Sequence, residues 1–364
     1  MLENWLTPVS IHSETALQGH FAQQIQIYQD QLPDLRTAQV ALLSIHANSG
    51  NAVREQLYQL QFHFSKLQIV DLGNIRKQNT AFFTQVIQEL INGRIVPIIL
   101  GENASEVLAQ YQAYPSIRQL SNLVIIDEQI HCDVNDEKTE GNYLNPIVHG
   151  AQAGVFNLGL LGFQTHFVAT PVLEHLQQLH FDTLRLGKMK ADISSAEPFI
   201  RDADLLCVHL AALKHSAAPA QTNGFPTGLT IEEACQLTYY AGMSDKLSSI
   251  GFYGFAPAQE VETQTAKSLA LLIWYFLDGF YRRKGDYPVS TAGLVEYIVH
   301  LKRYDYELTF WKSKRSSRWW LQVPMRTQQK HQRHKLIPCA YEDYLTASEG
   351  ELPDRLWNAF RRFA

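Results

Sequence analysis

The stretch VIIDEQIHCD, residues 124 to 133, runs from an apolar segment into Asp127, Gln129, His131 and Asp133. Side chains alternate sides along an extended chain, so these four share one face if the strand geometry continues. A carboxylate and imidazoles held together at a strand end can ligate a divalent cation or pass a proton between them. His209, which closes the apolar run LLCVHL, supplies a second imidazole of the same kind.

Such groups need a scaffold. Short apolar runs recur as VALLSIHA, QIVDLG, IVPIILG, LVIID, GVFNLGLLG, LLCVHL and SIGFYGF. Between them lie segments such as TAFFTQVIQELINGR and GLTIEEACQLTYYAG, where apolar residues return at three and four positions and a Thr precedes Glu at capping-box spacing. Strands alternating with helices predict an α/β chain: three layers, α/β/α, around a mostly parallel sheet. Chemistry in such folds gathers at the carboxyl ends of the strands. The segments to inspect are therefore residues 46 to 51, 101 to 105, 127 to 133, 209 to 215 and 255 to 260, with His149 and Gly150.

The chain has 364 residues, 46% of them hydrophobic and 18% charged, enough apolar material for a large core and against disorder. The net charge of -5 is dispersed, so neither a nucleic acid nor a membrane is expected as a partner. MLENWLTPVS lacks the features of a secretory signal, and SLALLIWYFLDGF is shorter than a bilayer span, so a cytoplasmic location is expected. Cys132, Cys207, Cys235 and Cys339 show no CxxC spacing and are expected to be reduced and mostly buried.

Together the strand-end segments resemble the ureohydrolase superfamily of arginases, agmatinases and formimidoylglutamases, closest to the formimidoylglutamase branch. The segments that carry the resemblance include HANSGNAVREQLYQL, IVPIILGENAS, LVIIDEQIHCD, DLLCVHLAALKHSAAP and TGLTIEEA, within residues 35 to 290. It implies an arginase-like fold and two manganese ions held by motifs of the form GGDH, DAHxD and SxDxD. The ions would activate a hydroxide for hydrolysis of a C–N bond in a linear amidine. Carried over by position, the ligands are largely replaced. The GGDH histidine falls on Ala104, the DAHxD histidine on Gln129 and its last aspartate on His131, while Asp127 is kept. The SxDxD aspartates fall on His209 and Ala211. The resemblance also implies a proton-shuttling role for His149 and substrate contact for Glu233.

The leading expectation is a member of this fold class that has lost the dinuclear centre and the hydrolase activity and keeps a role in binding a small molecule or a protein. No cofactor is expected under it. One alternative is a metal-dependent amidine hydrolase with a single zinc or manganese ion at Asp127, His131 and His209. The other is an intact hydrolase drawing on Glu102, Asn103, Asp133, Asp136 and Glu137. A homo-oligomer is expected on symmetry grounds.

From Trp311 to Ala340 there are eight Lys or Arg and no Asp or Glu. This composition marks a C-terminal extension, residues 291 to 364, packed on a main domain of residues 1 to 290. WKSKRSSRWWLQVP reads as strand, turn and strand. Its tryptophans, with Trp357, are expected to dock and its basic residues to face solvent or a neighbouring subunit.

Overall fold

The computed structural model describes residues 2–11, 17–117, 120–135, 141–148, 154–288, 290–303, 305–323 and 336–363. Its main sheet has ten strands. They are β1 (Leu6–Thr7), β2 (Gln26–Ile27), β3 (Val40–Ser44), β4 (Ile69–Ile75), β5 (Val96–Leu100), β6 (Ser121–Ile126), β7 (Val155–Leu161), β8 (Asp182–Leu184), β9 (Leu205–His209) and β10 (Ser249–Tyr253). The spatial order is β1-β4-β3-β5-β10-β9-β6-β7-β8, with β2 also paired to β4. Every pairing is parallel except β1 on β4.

Parallel strands covered on both faces read as unbroken apolar runs, and the structure divides each run between two cores. Leu42, Ile98, Val124, Val208 and Phe252 enter one core with helices Ala47–Leu57, Ile231–Met243 and Gln264–Tyr281. Their chain neighbours Leu43, Ile99, Ile125, Cys207 and Tyr253 enter the other with helices Thr80–Asn92, Glu106–Gln112 and Thr170–Gln178. This is the expected three-layer α/β/α arrangement. Helices Ile231–Met243 and Gln264–Tyr281 approach through glycines. A Cβ on Gly242 would stand 2.0 Å from Phe276 O, and one on Gly279 would stand 2.2 Å from Tyr239 O. Among the described residues no helix is long and apolar enough to cross a membrane.

A second, antiparallel sheet follows, ordered β11 (Leu294–Leu301), β12 (Tyr306–Ser313), β13 (Trp319–Gln322) and β14 (Leu336–Cys339). The expected strand, turn and strand are β12 and β13, with Trp311 opposite Trp320. Leu308, Phe310, Leu321, Ile337 and Leu356 form a core of their own, covered by helices Tyr341–Ser348 and Asp354–Phe363.

Arginines fasten this extension to the main sheet and its helices. Arg201 donates to Trp319 O (3.1 Å) and Cys339 O (3.0 Å) and lies 4.6 Å from the Trp320 ring centroid. Arg355 donates to Pro198 O at 2.9 Å, and Arg362 to Asp182 Oδ1 at 3.0 Å. Two expectations are corrected here. Arg318 does not face solvent: it lies 3.7 Å from Glu197 and 3.5 Å from Asp286 and donates to Met243 O, because the strand that buries Trp319 and Trp320 carries it into the seam. Trp357 stays 49% exposed, since the apolar stripe of its helix is led instead by Leu356, Ala359 and Phe360. Arg326, Lys330, Arg333 and Lys335 lie outside the described residues.

Candidate functional site

β6 and β9 are neighbours, with Ile126 opposite Val208, so the residues that follow them meet at one end of the sheet. Asp127 continues the pairing of β6, its N–H donating to Leu161 O at 3.0 Å, and its side chain is buried. Asp127 Oδ1 accepts the Glu128 N–H at 2.8 Å and lies 3.4 Å from His209 Nδ1. Asp127 Oδ2 lies 3.3 Å from His131 Nε2 but has no aligned hydrogen-bond donor. The His131 and His209 ring centroids are 6.1 Å apart. Asp127, His131 and His209 thus converge as the strand-end order predicts.

The surroundings set the protons. His209 Nδ1 lies 3.2 Å from the Ala211 N–H, which can only donate, so the neutral ring carries its proton on Nε2. That nitrogen points at Gly254, where a Cβ would stand only 2.7 Å away, so no other residue fits without displacing the ring. His131 is held from both sides. Its Nδ1 lies 3.2 Å from Gly141 O, the Gln129 amide lies 3.4 Å from its Nε2, and the Tyr143 ring lies 4.9 Å away.

Burial opposes ionisation of Asp127, yet the His209 and His131 rings and the Glu128 amide outweigh it and hold the carboxyl below its usual range. Burial likewise opposes charge on His131, but Asp127 prevails and raises it. For His209 burial wins and the imidazole is pushed down. The two imidazoles beside this carboxylate are thus shifted in opposite directions, His131 up and His209 down. Glu128, buried next to Asp127, is pushed up to about 7. Its Oε2 and the Tyr143 hydroxyl are buried without hydrogen-bond partners.

A second polar cluster at the same edge joins His46 and Glu102, both in segments marked for inspection, to Glu106, which the sequence reading did not single out. His46 follows β3, Glu102 and Glu106 follow β5, and these strands are neighbours. His46 Nε2 lies 2.6 Å from Glu106 Oε1, and Nδ1 lies 3.7 Å from Glu102 Oε2. Glu106 Oε2 accepts the Glu102 and Asn103 N–H groups at 3.0 and 3.1 Å. The signal available was a histidine directly after one apolar run and a glutamate in the first turn after another. Nothing in the local pattern says that the two runs are adjacent.

Glu233 is engaged within its own helix start. It closes a capping box with Thr230 and takes Lys190 Nζ at 2.7 and 2.5 Å. His149, Asp136 and Glu137 lie outside the described residues. Asp133 turns its backbone N–H to Asn145 Oδ1 at 2.8 Å and caps Asn135 N through its carboxylate at 2.9 Å.

No protein-family model matches the sequence, and no curated protein matches it. Solved structures do. A formimidoylglutamase from Bacillus subtilis superposes with a TM-score of 0.64 at 15% identity, covering 75% of this chain and 95% of its own. A Trypanosoma cruzi formiminoglutamase solved with Mn2+ gives 0.63 at 12% identity, covering 72% and 98%. An arginase from Bacillus cereus gives 0.56 at 12% identity, covering 66% and 98%. The fold is that of the arginases and formiminoglutamases. Nearly the whole of each neighbour is matched, while part of this chain lies outside the match.

An arginase fold raises the question of manganese, and the donors present answer it. Two dications held close together need several carboxylates to bridge them and offset their charge. At the positions assigned to ligands, Ala104 and Ala211 carry no donor and Gln129 offers a neutral amide. Asp127 is the one carboxylate of the set, and both its oxygens already face imidazoles. Among the described residues, no group of three or more His, Cys, Asp and Glu side chains is disposed to hold a metal ion. These residues do not fit a dinuclear manganese centre.

Proposed function

We propose that this chain is a cytoplasmic protein that keeps the arginase fold without the dinuclear centre and without amidine hydrolysis, and that it acts by binding a small polar molecule at the carboxyl edge of the sheet. One observation carries the reading. Where the resemblance calls for metal ligands, the chain has an aspartate between two imidazoles and carries alanine at two further ligand positions, Ala104 and Ala211. An ionised aspartate beside a readily protonated histidine reduces the excess negative charge that a ligand carboxylate would otherwise offer a cation. The chemistry that remains is recognition. Asp127 Oδ2, Glu128 Oε2 and the Tyr143 hydroxyl are buried polar atoms without aligned partners, and groups of that kind ordinarily find one.

The test is the metal content of protein purified without added metal or chelator. It is combined with calorimetric titration of manganese and zinc and with product assays on arginine, agmatine and formimidoylglutamate. The expected result is no turnover and no pair of manganese ions. Two equivalents of manganese per chain together with turnover would overturn the proposal. One equivalent of zinc, lost on replacing Asp127 or His209, would move the reading to the single-ion alternative.

A further inference from the structure

Edge strands present unpaired backbone groups, and proteins usually blunt them by shortness, proline or lysine. Among the described residues, three of the four sheet edges follow that rule. β1 has two residues and β8 three, while β14 has four and carries Pro338. β11 is the exception, with eight residues, LVEYIVHL, and neither proline nor lysine.

The direction of its backbone groups follows from two hydrogen bonds. Lys314 N donates to Gly293 O, so the residue pair Gly293 and Lys314 is of the bonded kind, whereas Leu294 N turns away from β12 to Thr291 O. Bonded and non-bonded pairs alternate along an antiparallel ladder. Val295, Tyr297, Val299 and Leu301 therefore bond to β12, and the N–H and C=O groups of Leu294, Glu296, Ile298 and His300 point outward. Glu296 and His300 are exposed, and Ile298 is 58% exposed.

We infer that the outer edge of β11 pairs antiparallel with β11 of a second copy of this chain, about a two-fold axis at Ile298. In that register Ile298 faces its own counterpart, and Glu296 of each copy faces His300 of the other, so one apolar pair sits between two acid–imidazole pairs. A two-fold at Glu296 would instead set like carboxylates face to face, which disfavours that slip. Two four-stranded sheets become one continuous eight-stranded sheet, and a second copy is the occupant whose strand complements this one in both length and charge.

The test uses the full chain. Sedimentation across a wide concentration range is expected to show a monomer–dimer equilibrium. Ile298→Lys places two like charges on the axis of an exposed site and is expected to raise the dimer Kd about tenfold or more. Glu296→Lys is expected to weaken the dimer, and adding His300→Glu to restore it. Ile298→Cys copies should be joined by a short thiol cross-linker while Tyr306→Cys copies are not, the four native cysteines being buried. A chain that stays monomeric at every concentration, or a dimer unmoved by Ile298→Lys and not cross-linked through Ile298→Cys, would overturn the inference.

Discussion

Replacing Asp127 by asparagine separates a cluster held by its own side chains from one held by a metal. The asparagine keeps the shape and one acceptor, so the 2.8 Å bond from the Glu128 amide survives. The group at Oδ2 becomes an NH2 facing His131 Nε2 across 3.3 Å. That contact is satisfied if the His131 proton moves to Nδ1, where Gly141 O waits at 3.2 Å. What is lost is a charge-assisted contact in a buried setting, with no cavity and no stranded ion. The cost is about 1–3 kcal/mol. Asp127→Ala has no such escape, because it removes the acceptor and the volume together, and should cost about 3–5 kcal/mol. Denaturant melts with and without a chelator read both numbers. With no metal involved, chelator leaves the wild type and the size of both losses unchanged. A chelator that removes as much stability from the wild type as Asp127→Asn does, and then abolishes the difference between them, would refute the reasoning.

Three other outcomes follow from the geometry. Hydrogen bonding to Glu106 raises His46 above its usual 6.5 despite burial, so its contribution to stability is full below that value and is lost as pH rises through the folded-state value; an NMR titration of the ring should show the raised midpoint, and Glu106→Gln should lower it. Arg201→Met removes the guanidinium bonds to Trp319 O and Cys339 O and the ion pair with Glu197, so it should cost about 3–5 kcal/mol and make the extension the first region cleaved in limited proteolysis. The four cysteines should resist a thiol reagent in the native state, since all are buried and burial pushes Cys132 up to about 11 and Cys235 up to about 12; rapid reaction of any of them would contradict the packing around it.

The strands and the convergence of Asp127, His131 and His209 were legible because each rests on a local signal. A strand covered on both faces is an unbroken apolar run, and a parallel sheet sends every strand end to one edge. The His46 and Glu106 pair was not legible, because it depends on β3 lying beside β5, and strand order leaves no mark on periodicity. Arg201 was not legible for the same reason. Its partners are main-chain carbonyls of the extension, which no pattern of residue types reveals. Arg318 shows the converse: a basic run suggested solvent, but the alternation that buries Trp319 and Trp320 draws its head into the seam.

The position of β9 and β10 between β5 and β6 has a consequence for how the chain is made. A ribosome releases β5 and β6 long before the two strands that will separate them, at about 5–20 residues per second. For that interval each half-sheet has an open flank, and β5 and β6 can meet each other before their proper neighbours arrive. His209 reaches Asp127 only once β9 lies beside β6, so the polar cluster can form only late in synthesis. Contacts so distant in sequence make for slow closure, and a pause or truncation before β10 would leave an incomplete sheet with strand edges available to other chains.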